Sequence, residues 1–258
     1  MTRSGTGKAP LEWEAAGIVL AASPYGEGDV LASVFTEAQG VHRGLARGGA
    51  SRARAAIWQT GNLVEARWVA RLADQLGSFT AELVHPSAAL AMHDPLLLGV
   101  LAAACAVAEG ALPEREPQAR VFRGLLHLIA HLREGSAAVA GLVAWELGLL
   151  SELGYGLDLT RCAVTGATDG LEFVSPRTGR AVSAAAAGVW QDRLLRLPAF
   201  MVRDATPVAG DLADGLALTG HFLTRDAFGA RHRGVPAARV RLADGLAEGE
   251  ATEGSSLF

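Results

Sequence analysis

GNLVEARWVAR, residues 61–71, carries the strand pattern from which the fold class can be inferred. Charged residues recur with a period of two along it, and the positions between them are mostly apolar, which is typical of a half-buried β-strand. One face carries Asn62, Val64, Ala66, Trp68 and Ala70, and the other carries Leu63, Glu65, Arg67 and Val69. The stretch therefore predicts a strand.

Similar strand signals surround it in the first third of the chain. Glycine-bearing turns separate four further predicted strands at Trp13–Ala22, Asp29–Thr36, Gly40–Arg47 and Leu76–Val84. Five short strands in about 75 residues predict a small closed barrel or a sandwich, and a five-stranded OB barrel is one such solution.

From residue 86 the apolar residues recur with a helical period. Helices are predicted from Pro86 to near Glu109, and at Val121–Arg133, Ser136–Leu153, 184–196 and 211–230. Residues 160–183 are rich in Gly, Thr and Ser, with short β-like pieces around Leu171–Val174. The fold class is therefore α+β, with an N-terminal barrel followed by a mainly helical domain.

Bulk composition limits the partners and the compartment. The 258 residues carry 23 basic and 27 acidic side chains, a net charge of −4, so any nucleic-acid site must come from local charge. Residues 1–10 lack the apolar segment of a signal peptide. The longest apolar run, Leu96–Ala108, is too short to span a bilayer. We expect a soluble, cytoplasmic protein.

A basic loop is the first candidate site. His42–Trp58 holds four arginines and no acid, and its glycines and Ser51 predict a mobile segment between the third and fourth strands. Such a loop is suited to following a phosphate backbone, although a solvated loop with incidental arginines has the same composition. The arginines are Arg43, Arg47, Arg52 and Arg54.

Base stacking also requires exposed aromatic side chains. Trp58 directly follows the basic loop and is the best candidate, with Phe35, Trp68 and Phe79 in or beside the predicted strands. Large aromatic side chains are more often buried, so the alternative is that these rings fill the barrel.

A second basic stretch, 225–241, has one acid, Asp226, among its cations. It is either a second DNA contact or a solvated helix end. Its cations are Arg225, Arg231, His232, Arg233, Arg239 and Arg241.

The sequence has few residues arranged for catalysis or for metal binding. It contains no Walker A phosphate loop, no dinucleotide-binding glycine motif, no HExxH and no GxSxG. His127 and His131 are spaced i, i+4 without a clear third ligand, so a metal site there is disfavoured. We therefore expect no enzymatic activity.

Six phrases resemble, in order, the RecO family of bacterial recombination mediators, and together they cover most of the chain. The first three are WEAAGIVLAASPYGEGD (13–29), GLARGGASRAR (44–54) and GNLVEARW (61–68). The others are ELGLLSELGYGLDLTRCAVTG (146–166), FVSPRTGRAVS (173–183) and LTGHFLTRDAFG (218–229).

The resemblance implies a domain organisation. Residues 1–12 would be a flexible N-terminus, 13–85 an OB domain, and 86–243 a helical domain with a ribbon at 160–187. Apart from the resemblance, residues 244–258 carry four acidic side chains and little apolar material, and this composition predicts a disordered tail.

It also implies an activity. Such proteins bind single- and double-stranded DNA, anneal complementary strands, bind the C-terminal tail of single-stranded-DNA-binding protein, and act with RecR to load RecA. The expected location is the bacterial cytoplasm, in association with the nucleoid. The alternative is an interaction adaptor whose barrel does not contact DNA.

By resemblance, DNA binding is assigned to Arg43, Arg47, Arg52 and Arg54, with Arg67 and Arg71 as weaker additions. Partner binding is assigned to Arg120, Arg123 and Arg133 beside the apolar stripe Leu125–Leu132.

One departure from the family concerns zinc. Many members carry a four-thiol ribbon, but here only Cys162 matches, with Thr165, Ser183 and Ala186 at the other positions. Zinc requires three or four good ligands, so we expect no zinc and no other cofactor.

Overall fold

A computed structural model describes residues 11–72, 75–133, 135–208 and 210–255. They form two compact units. The first takes the chain up to Leu90 together with Leu112–Phe122, and the second takes Ala91–Ala111 and the chain from Arg123 onward. The sequence placed the change from strands to helices near residue 85; the first unit runs to Leu90 and also contains Leu112–Phe122. Most of the predicted flexible N-terminus lies outside the described residues, and residues 11 and 12 already belong to a strand.

Within its described residues, the first unit is the predicted five-stranded OB-type barrel. The strands are β1 Leu11–Tyr25, β2 Asp29–Thr36, β3 Gly40–Ala46, β4 Leu63–Ala70 and β5 Gly77–His85. They close in the order β1-β2-β3-β5-β4, with β4 returning to pair with β1. Every contact is antiparallel except that between β3 and β5.

The alternation predicted for β4 is confirmed. Val64, Ala66, Trp68 and Ala70 are buried, whereas Arg67 between them is exposed. The inward side chains join Val19, Val34 and other residues in one apolar cluster that fills the barrel. Because a side chain on a strand points to the face opposite its neighbours, arginines at outward positions remain available on the barrel surface.

The segment Leu112–Phe122 belongs with the barrel because it continues the sheet beside β3. The amide of Arg115 donates to the carbonyl of Val41 at 2.8 Å, and Val41 forms a parallel bridge with Glu114. Gly40 has φ +71°, and a Cβ there would lie 2.2 Å from the Glu116 carbonyl oxygen. Only glycine accommodates both this conformation and this close approach.

The helices of the structure run as follows. They are α1 Ser87–Ala91, α2 Pro95–Ala111, α3 Ala119–Ala130, α4 Ser136–Glu152, α5 Ala184–Ala187, α6 Asp211–Phe222 and α7 Ala237–Ser255. In the second unit α2 packs against α7, and α4 packs against α6. No helix of the described residues is long and apolar enough to cross a membrane.

The prediction of a single helix from Pro86 to near Glu109 is wrong, because a turn interrupts the helix between α1 and α2. Proline disfavours helical backbone at the residue before it, so Pro95 ends α1 and opens α2. Asp94 caps the new helix, and its Oδ1 accepts the amides of Leu96 at 2.9 Å and Leu97 at 3.3 Å.

The ribbon is a short sheet, and it extends further along the chain than residue 187. Strands β6 Leu171–Val174, β7 Ala181–Ser183 and β8 Leu195–Arg196 pair in the order β7-β6-β8. The predicted helix 184–196 is therefore wrong. Gly188, at φ +48°, ends α5, and a 3₁₀ turn at Gly188–Arg193 leads into β8.

Two further predictions differ from the structure, one about the end of a helix and one about the C-terminal tail. The helix predicted at 211–230 is α only to Phe222, and continues as a π-helix at Leu223–Phe228 and a 3₁₀ turn at Gly229–Arg231. The tail predicted to be disordered from Asp244 instead continues α7 to Ser255. This part of the chain contains no proline, and its Ala, Leu and Glu residues favour helix. Residues 256–258 lie outside the described part.

Candidate nucleic-acid interface

Strand register places Arg47 and Arg67 near one another on the outside of the barrel. Ala46, the last residue of β3, pairs with Phe79 of β5, and Arg47 follows it at the start of a turn in which the amide of Gly49 donates to the carbonyl of Ala46 at 3.1 Å. Thr80, the next residue of β5, pairs with Arg67 of β4. One strand, β5, therefore separates the end of β3 that leads to Arg47 from the strand that carries Arg67, with about 4.8 Å for each strand spacing.

The remaining candidate arginines belong to the same strands and to the loop after β3. Arg43 lies earlier on β3, Arg71 follows the end of β4, and Arg52 and Arg54 lie in the loop after β3. We call the outer surface that carries all six the basic face; its members are Arg43, Arg47, Arg52, Arg54, Arg67 and Arg71.

The basic loop is held in place, contrary to the mobile loop expected from its glycines. Asp29 Oδ1 accepts the amide of Gly48 at 2.8 Å, and the carbonyl of Gly28 accepts the amide of Ala50 at 3.0 Å. At the far end, Asn62 Nδ2 donates to the carbonyl of Ala56 at 2.7 Å. The loop is thus tied to the turn between β1 and β2 and to the start of β4.

Three arginines of this loop present unneutralised charge. Arg47, Arg52 and Arg54 are exposed, and no carboxylate of the described residues lies within 4 Å of them. Arg54 donates to the carbonyl of Arg47 at 3.0 Å, which joins the two ends of the turn. Exposed guanidinium groups on a hydrogen-bonded frame can bind phosphate with little ordering cost.

Two other arginines of the basic face are paired with acids. Arg43 Nε lies 3.3 Å from Glu114, and Arg67 Nε lies 2.6 Å from Glu12. The hydrogen bond and charge of Glu12 raise the pKa of Arg67. These pairs reduce the positive potential of that part of the basic face, whereas Arg71 is exposed without a described acidic partner.

The prediction that the aromatic rings of this region fill the barrel is confirmed for Trp58, Trp68 and Phe79, so Trp58, the candidate for base stacking, is not available for it. Trp58 is only 5% exposed and packs against Phe79 inside the barrel, and Phe35 and Trp68 are buried as well. The exposed aromatic among the described residues of the first unit is Tyr25, at 53%. Its position in the Tyr-Gly-Glu-Gly turn after a strand could have indicated it.

Most of the second basic stretch has structural contacts. Arg239 is buried against Glu146, at 2.6 Å between Nε and Oε1. Arg225 pairs with Asp226 at 2.7 Å and also donates to the carbonyls of Pro176 and Arg177. Arg233 donates to the carbonyl of Gly110 at 3.3 Å. The exposed Arg231 and Arg241, with His232, do not make this stretch a second basic face comparable to that of the barrel.

The apolar stripe suggested for partner binding is filled by the protein's own core. Leu125, Leu128 and Leu132 are all buried, so the stripe offers no open groove. Arg120, Arg123 and Arg133 are exposed. A more open apolar groove of about 400 Å³ lies in the second unit between α2 and α7, lined by Pro95, Leu96, Gly99, Ala102, Ala238, Arg241, Leu242, Gly245 and Leu246.

Hydrogen bonds surround Cys162 in the ribbon. Its Sγ accepts the amide of Ser183 at 3.3 Å and the Ser183 hydroxyl at 3.5 Å. Burial raises the pKa of this thiol, but hydrogen bonds from Ser183 and Thr165 outweigh burial and bring it down to about 6. The described residues contain no group of three or more His, Cys, Asp or Glu side chains able to hold a metal ion.

The chain matches two family models. Residues 11–87 match that of the recombination protein O N-terminal domain, and residues 92–233 match that of its C-terminal domain.

Curated relatives extend the likeness over nearly the whole chain. A DNA repair protein RecO of Granulibacter bethesdensis is 59% identical over 246 residues, covering 94% of this chain and 98% of its own length. One of Acidiphilium cryptum is 58% identical, over 92% of this chain and 96% of its own. One of Gluconacetobacter diazotrophicus is 55% identical, over 91% and 94%.

Proposed function

The chain belongs to the RecO family of DNA repair proteins, and on that premise we propose that it binds single-stranded DNA on the basic face and anneals it to a complementary strand. The observation that carries the proposal is the arrangement of Arg47, Arg52 and Arg54, which are exposed on a hydrogen-bonded loop of an OB-type barrel. Local charge of this kind overcomes a net charge of −4 because ionic interactions are screened beyond about 10 Å.

Annealing on such a surface requires no turnover chemistry. Arginines neutralise backbone phosphates, so two strands of like charge can approach each other. Base pairing then supplies the favourable free energy. The protein therefore acts as a non-enzymatic mediator that neither hydrolyses a nucleotide nor uses a cofactor.

Partner binding follows from the family and is part of the proposal. The protein works with RecR and the C-terminal tail of single-stranded-DNA-binding protein, and through them helps to load RecA, in the cytoplasm at the nucleoid. The groove between α2 and α7 supports a docking role, since Arg241 borders an otherwise apolar lining. An acidic peptide with an apolar end complements such a groove.

Fluorescence anisotropy of a labelled single-stranded oligonucleotide, titrated at several salt concentrations, tests the DNA contact. Three phosphates neutralised by Arg47, Arg52 and Arg54 give a log-log slope of about −2. The double variant Arg47→Glu/Arg52→Glu should weaken binding and flatten this slope. The matched control, Arg161→Glu/Arg177→Glu, changes the charge equally at two exposed arginines of the second unit and should leave both unchanged.

Annealing is measured as the decrease in fluorescence when two complementary labelled oligonucleotides pair. The reaction contains no added nucleotide triphosphate. We expect the wild type and the control to accelerate annealing and the double variant to lose the effect. Unchanged DNA affinity in the double variant, together with retained binding of an acidic tail peptide, would instead support an adaptor whose barrel does not contact DNA.

A further inference from the structure

Tyr25 is an aromatic side chain for which the fold has no evident structural use. Its ring is half exposed at the end of β1, whereas Phe35, Trp58, Trp68, Phe79 and Phe122 of the same unit are buried. Exposed aromatic rings are the groups on which unpaired bases stack in proteins that bind single-stranded nucleic acid.

The backbone under Tyr25 is joined directly to the basic loop. Tyr25 pairs with Asp29 across the turn between β1 and β2. The Asp29 carboxylate holds the amide of Gly48, and the carbonyl of Gly28 holds the amide of Ala50. The backbone at Tyr25 and the backbone of the basic loop therefore belong to one hydrogen-bonded frame.

Strand register also relates Tyr25 to the start of the basic loop. Val30 of β2 pairs with Ala46, the last residue of β3, and Arg47 is the next residue, in the turn whose Gly48 amide donates to the Asp29 carboxylate. Because Tyr25 pairs with Asp29, the backbones at Tyr25 and at the end of β3 lie two strand spacings apart, about 10 Å. An arginine side chain reaches several ångströms, so one nucleotide strand can contact both.

We propose that Tyr25 stacks on an unpaired base while Arg47, Arg52 and Arg54 bind the flanking phosphates, and that this ring makes the barrel prefer single-stranded to double-stranded DNA. In a duplex the base faces are covered by their neighbours, whereas a single strand can place a base face on an aromatic ring. The phosphates are present in both, so the arginines by themselves do not discriminate. This inference rests on the proposed function and specifies its substrate.

The test compares three variants with the wild type on single- and double-stranded oligonucleotides of equal length. One stacked base contributes about a fivefold change in affinity or more, so Tyr25→Ala should lose at least that for the single strand and little for the duplex. Tyr25→Phe should stay close to wild type because stacking uses the ring and not the hydroxyl. Arg47→Glu/Arg52→Glu should weaken both substrates.

These variants separate failure of the inference from failure of the proposed function. If the arginine variant loses affinity but Tyr25→Ala does not, or if Tyr25→Ala loses single strand and duplex equally, stacking is wrong and the DNA site remains. A loss of single-strand affinity in Tyr25→Phe equal to that in Tyr25→Ala would indicate a contact through the hydroxyl group and not stacking on the ring. If neither Tyr25→Ala nor Arg47→Glu/Arg52→Glu alters DNA affinity, both the stacking inference and the proposed DNA site are wrong.

Photo-crosslinking gives an independent readout. A single strand with 5-iodouracil at successive positions should cross-link at residue 25, mapped by mass spectrometry, and the cross-link should be retained in Tyr25→Phe. Cross-linking that maps only to other residues would overturn the inference. Thermal unfolding of each variant verifies that the barrel is intact, which is expected because the ring lies outside the apolar cluster.

Discussion

Arg239 and Glu146 form a two-pronged salt bridge inside the helical unit, joining α7 to α4. Nε and Nη2 of the guanidinium donate to Oε1 and Oε2 of the carboxylate at 2.6 and 2.9 Å. Arg239 also donates to the carbonyl of Leu216 at 2.8 Å, and the Thr219 hydroxyl donates to Glu146 at 2.5 Å. Both charged side chains are almost fully buried. Three helices are thus held together by one polar network.

Removing one partner of this pair should destabilise the protein strongly. Arg239→Met leaves the Glu146 carboxylate buried without its cation, which costs about 3–5 kcal/mol of unfolding free energy. The double variant Glu146→Leu/Arg239→Met should lose less than this single variant because no uncompensated charge remains. Urea unfolding followed by circular dichroism measures both. A double variant less stable than Arg239→Met would contradict the argument.

His42 should make the protein less stable in mild acid. Burial, followed by the nearby positive charge of Arg115, lowers the pKa of His42 from 6.5 to about 4. Between these values the unfolded chain binds more protons than the folded chain, so stability falls as the pH is lowered from 6.5 to about 4. Thermal unfolding across this range should show the fall, and His42→Phe, which preserves the ring contacts with Trp13 and Trp68, should reduce it. An identical pH dependence in the variant would exclude His42 as the cause.

The two cysteines should titrate far apart. Hydrogen bonds bring the pKa of Cys162 to about 6, whereas burial raises that of Cys105 to about 12. Absorbance at 240 nm should therefore show one thiolate step with a midpoint near pH 6. Cys162→Ala should remove this step and Cys105→Ala should keep it. A midpoint near 8.5, the value of an ordinary thiol, would mean that Ser183 and Thr165 do not stabilise the thiolate.

The ribbon should accept zinc once its thiols are restored. Ser183 and Thr165 already hydrogen-bond to Cys162, and Ala186 packs against the same small cluster. Thr165→Cys/Ser183→Cys/Ala186→Cys supplies the four thiolates that a structural site needs. Mass spectrometry of metals should find about one zinc per chain in this variant and no stoichiometric zinc in the wild type. Stoichiometric zinc in the wild type would contradict the proposed absence of a cofactor.

Releasing Arg67 from its acid should strengthen DNA binding. Glu12→Gln removes the charge that neutralises Arg67 at 2.6 Å on the basic face. If Arg67 then engages one more phosphate, the log-log salt slope becomes steeper by about 0.7. Glu172→Gln, at an exposed acid of the second unit, is the control for net charge. An equal effect in the two variants would show that only overall charge matters.

The sequence predicted the barrel well because strand periodicity is local. GNLVEARWVAR alternates over enough residues to define β4, and the turns around it bound the neighbouring strands. Helix ends were predicted less accurately. Pro95 and Gly188 each interrupt a run that apolar spacing alone would join, and the continuation of α7 to Ser255 was not predicted.

The fold class follows from the sequence alone because strand and helix periodicity is local, and the order of six sequence phrases indicates the family. Which aromatic ring is exposed depends on tertiary packing, since Trp58 turns into the barrel while Tyr25 remains outside. Tertiary packing also decided which arginines are available: Arg239 is committed to Glu146, Arg67 to Glu12 and Arg43 to Glu114, in each case a partner distant in sequence. Burial and ion pairing depend on which segments meet in space, and that is set by the packing of the whole chain.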